Sequence, residues 1–79
     1  MKVDSYETSD VATPAFDEND DFILEKGVIY ADARENGKVF LVDSEFSCVT
    51  LTTGDLFDPN ENWTSDQEVY IVKNLTMST

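Results

Sequence analysis

The chain has 79 residues, with 17 Asp and Glu against five Lys and Arg, no histidine and one cysteine, for a net charge of −12. A domain of this size buries only about 60% of the surface its unfolded chain exposes. The lone Cys48 excludes an intrachain disulfide, and without histidine a zinc site loses most of its ligands; five cations in so negative a field also disfavour direct binding to nucleic acid or to an anionic membrane.

Residues 1–21 hold seven acids and one lysine, about half the net charge, and show no periodicity. Small polar residues, Pro14 and isolated apolar residues such as Tyr6 and Phe16 predict an acidic, flexible N-terminal arm. The opening MKVDSYETSD offers no apolar run for secretion, and no stretch is long enough to span a membrane as a helix, so the expected location is the cytoplasm. The sequons at Asn62 and Asn74 are read as chance matches.

From Phe22 the composition changes, and residues 22–74 are expected to form one small β domain. Phe22-Ile23-Leu24 begins it, and Glu25-Lys26-Gly27 reads as a turn or bulge before a strand at Val28–Ala31. Asn36-Gly37 is the strongest hairpin signal, so Val28–Ala31 should pair antiparallel with Val39–Val42. The helix-favouring YADARE is the competing reading there. In Val39–Val42 alternate residues are apolar on both faces, which suits a strongly curved or closed sheet.

Phe46–Thr53 alternates as a further strand, with Cys48 as a small buried filler. Leu56-Phe57 precedes the polar loop DPNENWTSDQ, in which Trp63 either folds back as a lid over the sheet or stands as a binding anchor. Glu68–Asn74 is the last strand, and residues 75–79 are expected to fray. The pattern predicts an all-β fold: a small, strongly bent antiparallel sheet or barrel, SH3-like or OB-like, of about five strands.

No catalytic signature is present. GxGxxG, Walker A and HExxH are missing, a Ser or Cys nucleophile lacks a histidine base, and paired carboxylates have little room for a water-excluding cleft. Asp17, Asn19 and Asp21 imitate the first positions of a calcium loop, but Phe22 stands where glycine is needed and Val28 where glutamate is needed. Asp58, Asn60, Asn62 and Asp66 fail likewise, with Trp63 and Val69 at those two positions. Neither an enzyme nor a cofactor is expected.

Charge is the remaining signal. Alternate residues on one strand face lie about 6.6 Å apart and B-DNA phosphates advance roughly 3.4 Å along the axis, so a file of carboxylates would match every second phosphate. The expectation is a non-enzymatic binding protein that occupies the basic surface of a nucleic-acid-binding partner, as a nucleic-acid-mimic inhibitor of a nuclease, restriction or transcription protein, by analogy with small acidic virus-encoded chains. Asp17, Glu18, Asp20, Asp21, Asp55, Asp58, Glu61 and Asp66 would supply charge, with Phe16 or Trp63 as the apolar anchor. Scattered acidity that serves only solubility is the plainer reading. The alternative function is a small structural or adaptor module acting through a homodimer or a larger assembly.

Overall fold

The computed structural model describes residues 2–35, 38–44 and 47–78, so the hairpin dipeptide Asn36-Gly37 and the strand start at Phe46 lie outside the described residues. The elements in chain order are β1 (Lys2–Thr8), β2 (Thr13–Pro14), β3 (Ile29–Asp32), β4 (Val39–Ser44), β5 (Ser47–Thr50), β6 (Leu56–Phe57), a single helical turn α1 (Pro59–Asn62) and β7 (Glu68–Ser78). All strand pairings are antiparallel, and the fold is all-β.

The pairing of β3 with β4 follows the sequence pattern, with Ile29, Tyr30 and Ala31 opposite Leu41, Phe40 and Val39. The competing helix over YADARE does not form, because Tyr30–Asp32 sit between two strands, β4 on one side and β7 on the other. β5 pairs with β4 and β6 with β5, and Gly54, at φ +76°, closes the turn between β5 and β6 by donating its N–H to the Thr50 carbonyl at 2.7 Å. A β-carbon is disfavoured in that left-handed conformation.

The hydrogen-bonded order is β1-β7-β3-β4-β5-β6, with β2 also on β7, and no pairing among the described residues joins β1 to β6. The sheet is open, which corrects the expectation of a closed barrel. Its exposed edges are handled locally: β6 is two residues long, while β1 carries Lys2, Asp4 and Glu7 and register shifts. Short length, charge and bulges all blunt an edge without closure.

Both ends of the chain also depart from expectation. The 1–21 segment is not a free arm: β1 and β2 run along one flank of β7, and Ala15 and Phe16 enter the core. The expected fray is corrected for residues 75–78, since Leu75–Ser78 continue β7, while Thr79 lies outside the described residues. Phe22 and Leu24 are core residues, but the backbone there makes only a bridge from Phe22 to Phe16, so no strand forms.

The core occupies one face of the sheet. Tyr30, Phe40, Val42, Cys48 and Val69 supply the sheet side, and Ala15, Phe16, Phe22 and Leu24 cover them, with Val28, Phe57 and Trp63 packed against the cluster. Ile29, Leu41, Val49 and Leu56 are successive cross-strand partners and therefore share the opposite face, so both sides of the sheet are apolar in their centre.

Candidate binding cleft between two acidic loops

The turn from Phe16 to Phe22 is built on one carboxylate. Asp17 Oδ1 accepts the backbone N–H groups of Asn19 at 2.8 Å and Asp21 at 2.9 Å, and the Asp17 N–H donates to the Asp21 carbonyl at 2.9 Å. Asp and Asn favour such local turns because their side chains substitute for backbone acceptors. Asp20 takes the left-handed conformation at φ +63°, and Glu18, Asp20 and Asp21 face solvent.

A second acidic loop begins at Asp58, which caps α1 by accepting the Asn60 N–H at 2.9 Å, with Pro59 in the first turn. Both choices suit a helix start, where N–H groups lack partners and proline has none to lose. The turn ends at Trp63, whose ring packs at centroid distances of 6.3 Å from Phe16, 5.2 Å from Phe40 and 5.6 Å from Phe57. Of the two roles open to Trp63 from sequence, the half-buried ring takes the lid position over the sheet.

These two loops share a cleft of about 420 Å³ lined by Phe16, Asp20, Asn60, Trp63, Thr64 and Ser65. Of the residues selected from sequence, the structure thus brings Phe16, Asp20 and Trp63 together. Asp17, Glu18, Asp21, Asp58 and Glu61 stand on the same two loops without lining the cleft, and Asp55 lies apart in the turn between β5 and β6. Phe16 is only 5% exposed, a core ring rather than a presented anchor. The acids stand mainly in turns and not as an alternating file along a strand.

Among the described residues, Asp66 is the one of these acids paired with a cation. Arg34 Nη2 lies 2.7 Å from its carboxylate and the Thr64 hydroxyl donates to it; the Thr64 hydrogen bond first, and then Arg34, hold its carboxyl below the usual range. Lys38 sits 4.6 Å above the centre of the Phe57 ring and 3.7 Å from Glu35. Arg34 and Lys38 line a neighbouring cavity of about 280 Å³ with Asp32, Glu35, Phe57, Asn62, Trp63 and Gln67. Trp63 is the wall between the two hollows.

Asp32 and Gln67 were not singled out by sequence reading, and both are buried. A polar residue at a strand end carries no hydropathy signal of burial, so only their mutual hydrogen bond reveals the role. Cys48 is wholly buried, and burial, reinforced by the Asp58 charge and partly offset by Lys38, pushes its thiol up to about 12. A thiol so protonated is a poor nucleophile.

Among the described residues no three His, Cys, Asp or Glu side chains converge as they would around a metal ion. In both calcium-like sequences the leading aspartate instead spends an oxygen on backbone N–H groups. No helix of the described residues is long and apolar enough to cross a membrane. Compared with known protein families, curated proteins and solved structures, the chain matches none.

Proposed function

We propose that this protein is a non-enzymatic acidic binding protein that occupies a basic surface of a partner, as a nucleic-acid-mimic inhibitor of a nucleic-acid-binding protein such as a nuclease, a restriction or defence protein, or a transcription protein, of the virus-encoded kind. It acts in the cytoplasm. The observation that carries the reading is the meeting of the 17–21 and 58–66 loops at one cleft, so that acids distant in sequence flank a common aromatic floor.

Electrostatics supply the mechanism. A net charge of −12 repels itself, and a cationic groove laid over the two loops relieves that repulsion. Approach is steered and accelerated by the long-range field, and the complex weakens as salt screens it. The partner contributes Lys and Arg side chains, one of which enters the cleft to meet Asp20 beside the Trp63 ring. A cation over an aromatic face gains about 0.5–2 kcal/mol, more as water is excluded.

The test is capture from host lysate at low and high salt, followed by competition with duplex DNA. The expected captives are basic nucleic-acid-binding proteins that duplex DNA displaces. Changing Asp17, Glu18, Asp20, Asp21, Asp55, Asp58, Glu61 and Asp66 to Asn or Gln should abolish capture. Asparagine keeps the acceptor oxygen that Asp17 and Asp58 use in their turns, so the fold survives the change. Capture by the neutralised variant would show that charge is not the cause.

A further inference from the structure

The net charge is unevenly shared along the chain. Residues 2–8 and 72–78 hold two lysines, Lys2 and Lys73, against two acids, Asp4 and Glu7. The other fifteen acids and three cations lie between residues 9 and 71, so the whole of the −12 belongs there. Within the neutral part, Asn74 Nδ2 donates to Glu7 at 2.8 Å and the Ser78 hydroxyl donates to Asp4 at 3.2 Å. Both acids are tied to β7.

That neutral part is a two-stranded ribbon. β3 pairs with β7 only at Val69–Ile71, whereas β1 follows β7 from Val72 to Ser78. Among the described residues, one edge of β7 is therefore unpaired beyond Ile71. Two bulges set its faces: Asp4 is the extra residue between Val3 and Ser5, which oppose the adjacent Met77 and Thr76, and Tyr6 alone opposes Asn74 and Leu75. The result places Val3, Tyr6, Leu75 and Met77 on one face, each half-buried.

A two-stranded ribbon is marginal in water by itself. Its outer β1 edge is guarded by Lys2, Asp4, Glu7 and a bulge, and the β7 edge by Lys73 and the bulge at Asn74. Beyond Asn74 the edge residues Leu75-Thr76-Met77-Ser78 carry no charge and no proline. An unguarded edge is a template for another strand.

We infer that a second copy of this chain pairs antiparallel along Leu75–Ser78, giving a four-stranded sheet in which two β7 strands lie at the centre and two β1 strands outside. The charge distribution selects this occupant. Two copies repel wherever residues 9–71 meet, and the ribbon is the neutral surface at which they approach without that cost. A basic partner gains nothing electrostatic at this edge. A self-complementary contact of this kind is two-fold symmetric and closes at the dimer.

Sedimentation of the full chain over a range of concentration and salt tests the inference. The expected result is a monomer–dimer equilibrium that tightens as salt screens the repulsion between the acidic bodies, the opposite of the salt dependence expected for a basic partner. Leu75→Lys should weaken association by at least about tenfold, the equivalent of about 1.4 kcal/mol, while Leu56→Lys, at the opposite edge of the sheet, should not. Retained Trp63 fluorescence establishes that each variant is folded. In the unmodified chain, amide exchange at Leu75–Ser78 should slow with concentration while Leu56 and Phe57 are unaffected. A monomer at every concentration in high salt, or a dimer lost with Leu56→Lys and kept with Leu75→Lys, overturns the inference. The variant with neutralised acidic loops should still dimerise, so this surface and the acidic cleft fail or stand separately.

Discussion

Gln67 donates its side-chain amide to Asp32 Oδ1 at 2.8 Å, joining a glutamine that is 1% exposed to a carboxylate that is 7% exposed. The same Asp32 oxygen accepts the Arg34 N–H at 2.8 Å, and the Gln67 amide also donates to the Glu68 carbonyl at 2.8 Å. One buried polar pair thus fastens the end of β3, the start of β7 and the loop that carries Trp63. Asp32→Ala leaves the amide and the Arg34 N–H without their acceptor, and should cost about 2–3 kcal/mol. Asp32→Asn keeps an acceptor oxygen and should cost less, about 1 kcal/mol. Urea midpoints at constant slope measure both; equal losses would mean that the charge, and not the hydrogen bonds, holds the corner.

The Cys48 thiol gives a pH prediction with a definite sign. Its folded value of about 12 stands above the ordinary 9.0, because burial and the Asp58 charge disfavour the thiolate. Between those values the unfolded chain has released its proton and the folded chain has kept it, so stability falls as pH rises from about 9 towards 12 and this contribution is intact below 9. Cys48→Ala should flatten that part of the pH profile. Thiol labelling at mildly alkaline pH should be limited by unfolding; rapid labelling of the native protein would contradict this burial.

The parts of the fold that were legible are those where apolar runs flank a turn signal. Val28–Ala31 and Val39–Val42 are continuous apolar runs on either side of Asn36-Gly37, and β3 and β4 pair accordingly. The N-terminal strand was illegible for a geometric reason: Val3 and Tyr6 are three apart, which fits no strand period, and share a face only because Asp4 bulges. The spacing of Asp17, Asn19 and Asp21 resembled metal ligation because an aspartate that caps its own turn places acceptors and donors at similar intervals. Of the site, the acidic loops were legible as composition. Their meeting at Phe16 and Trp63 required the tertiary fold, and the same contact turned Phe16 from an expected anchor into core.

Trp63 should be worth more to stability than its half-exposed position suggests. Its ring meets Phe16, Phe40 and Phe57 edge-on or tilted, the arrangement aromatic pairs favour. Trp63→Ala should cost about 3–5 kcal/mol, the range for truncating a large packed aromatic, and merge the two hollows it separates. Trp63→Phe restores much of the contact and should recover most of the loss. Thermal melts of the two variants distinguish packing from surface exposure; a loss below about 1 kcal/mol for alanine would place the ring outside the core.

Asn74 sets the phase of the C-terminal strand. At φ +51° it adopts the left-handed conformation, which asparagine tolerates and β-branched residues do not, and the bulge it forms places Leu75 and Met77 on the face shared with Val3. Asn74→Val should therefore cost about 1–2 kcal/mol in backbone strain alone and loosen the ribbon. Asn74→Gly keeps the conformation and loses only the hydrogen bond to Glu7, about 1 kcal/mol at an exposed site. Amide exchange separates the two: valine should accelerate exchange throughout Leu75–Ser78, whereas glycine should leave those amides close to the native rate. If valine were tolerated with unchanged exchange, the conformation of residue 74 would not be what fixes the register of β1 on β7.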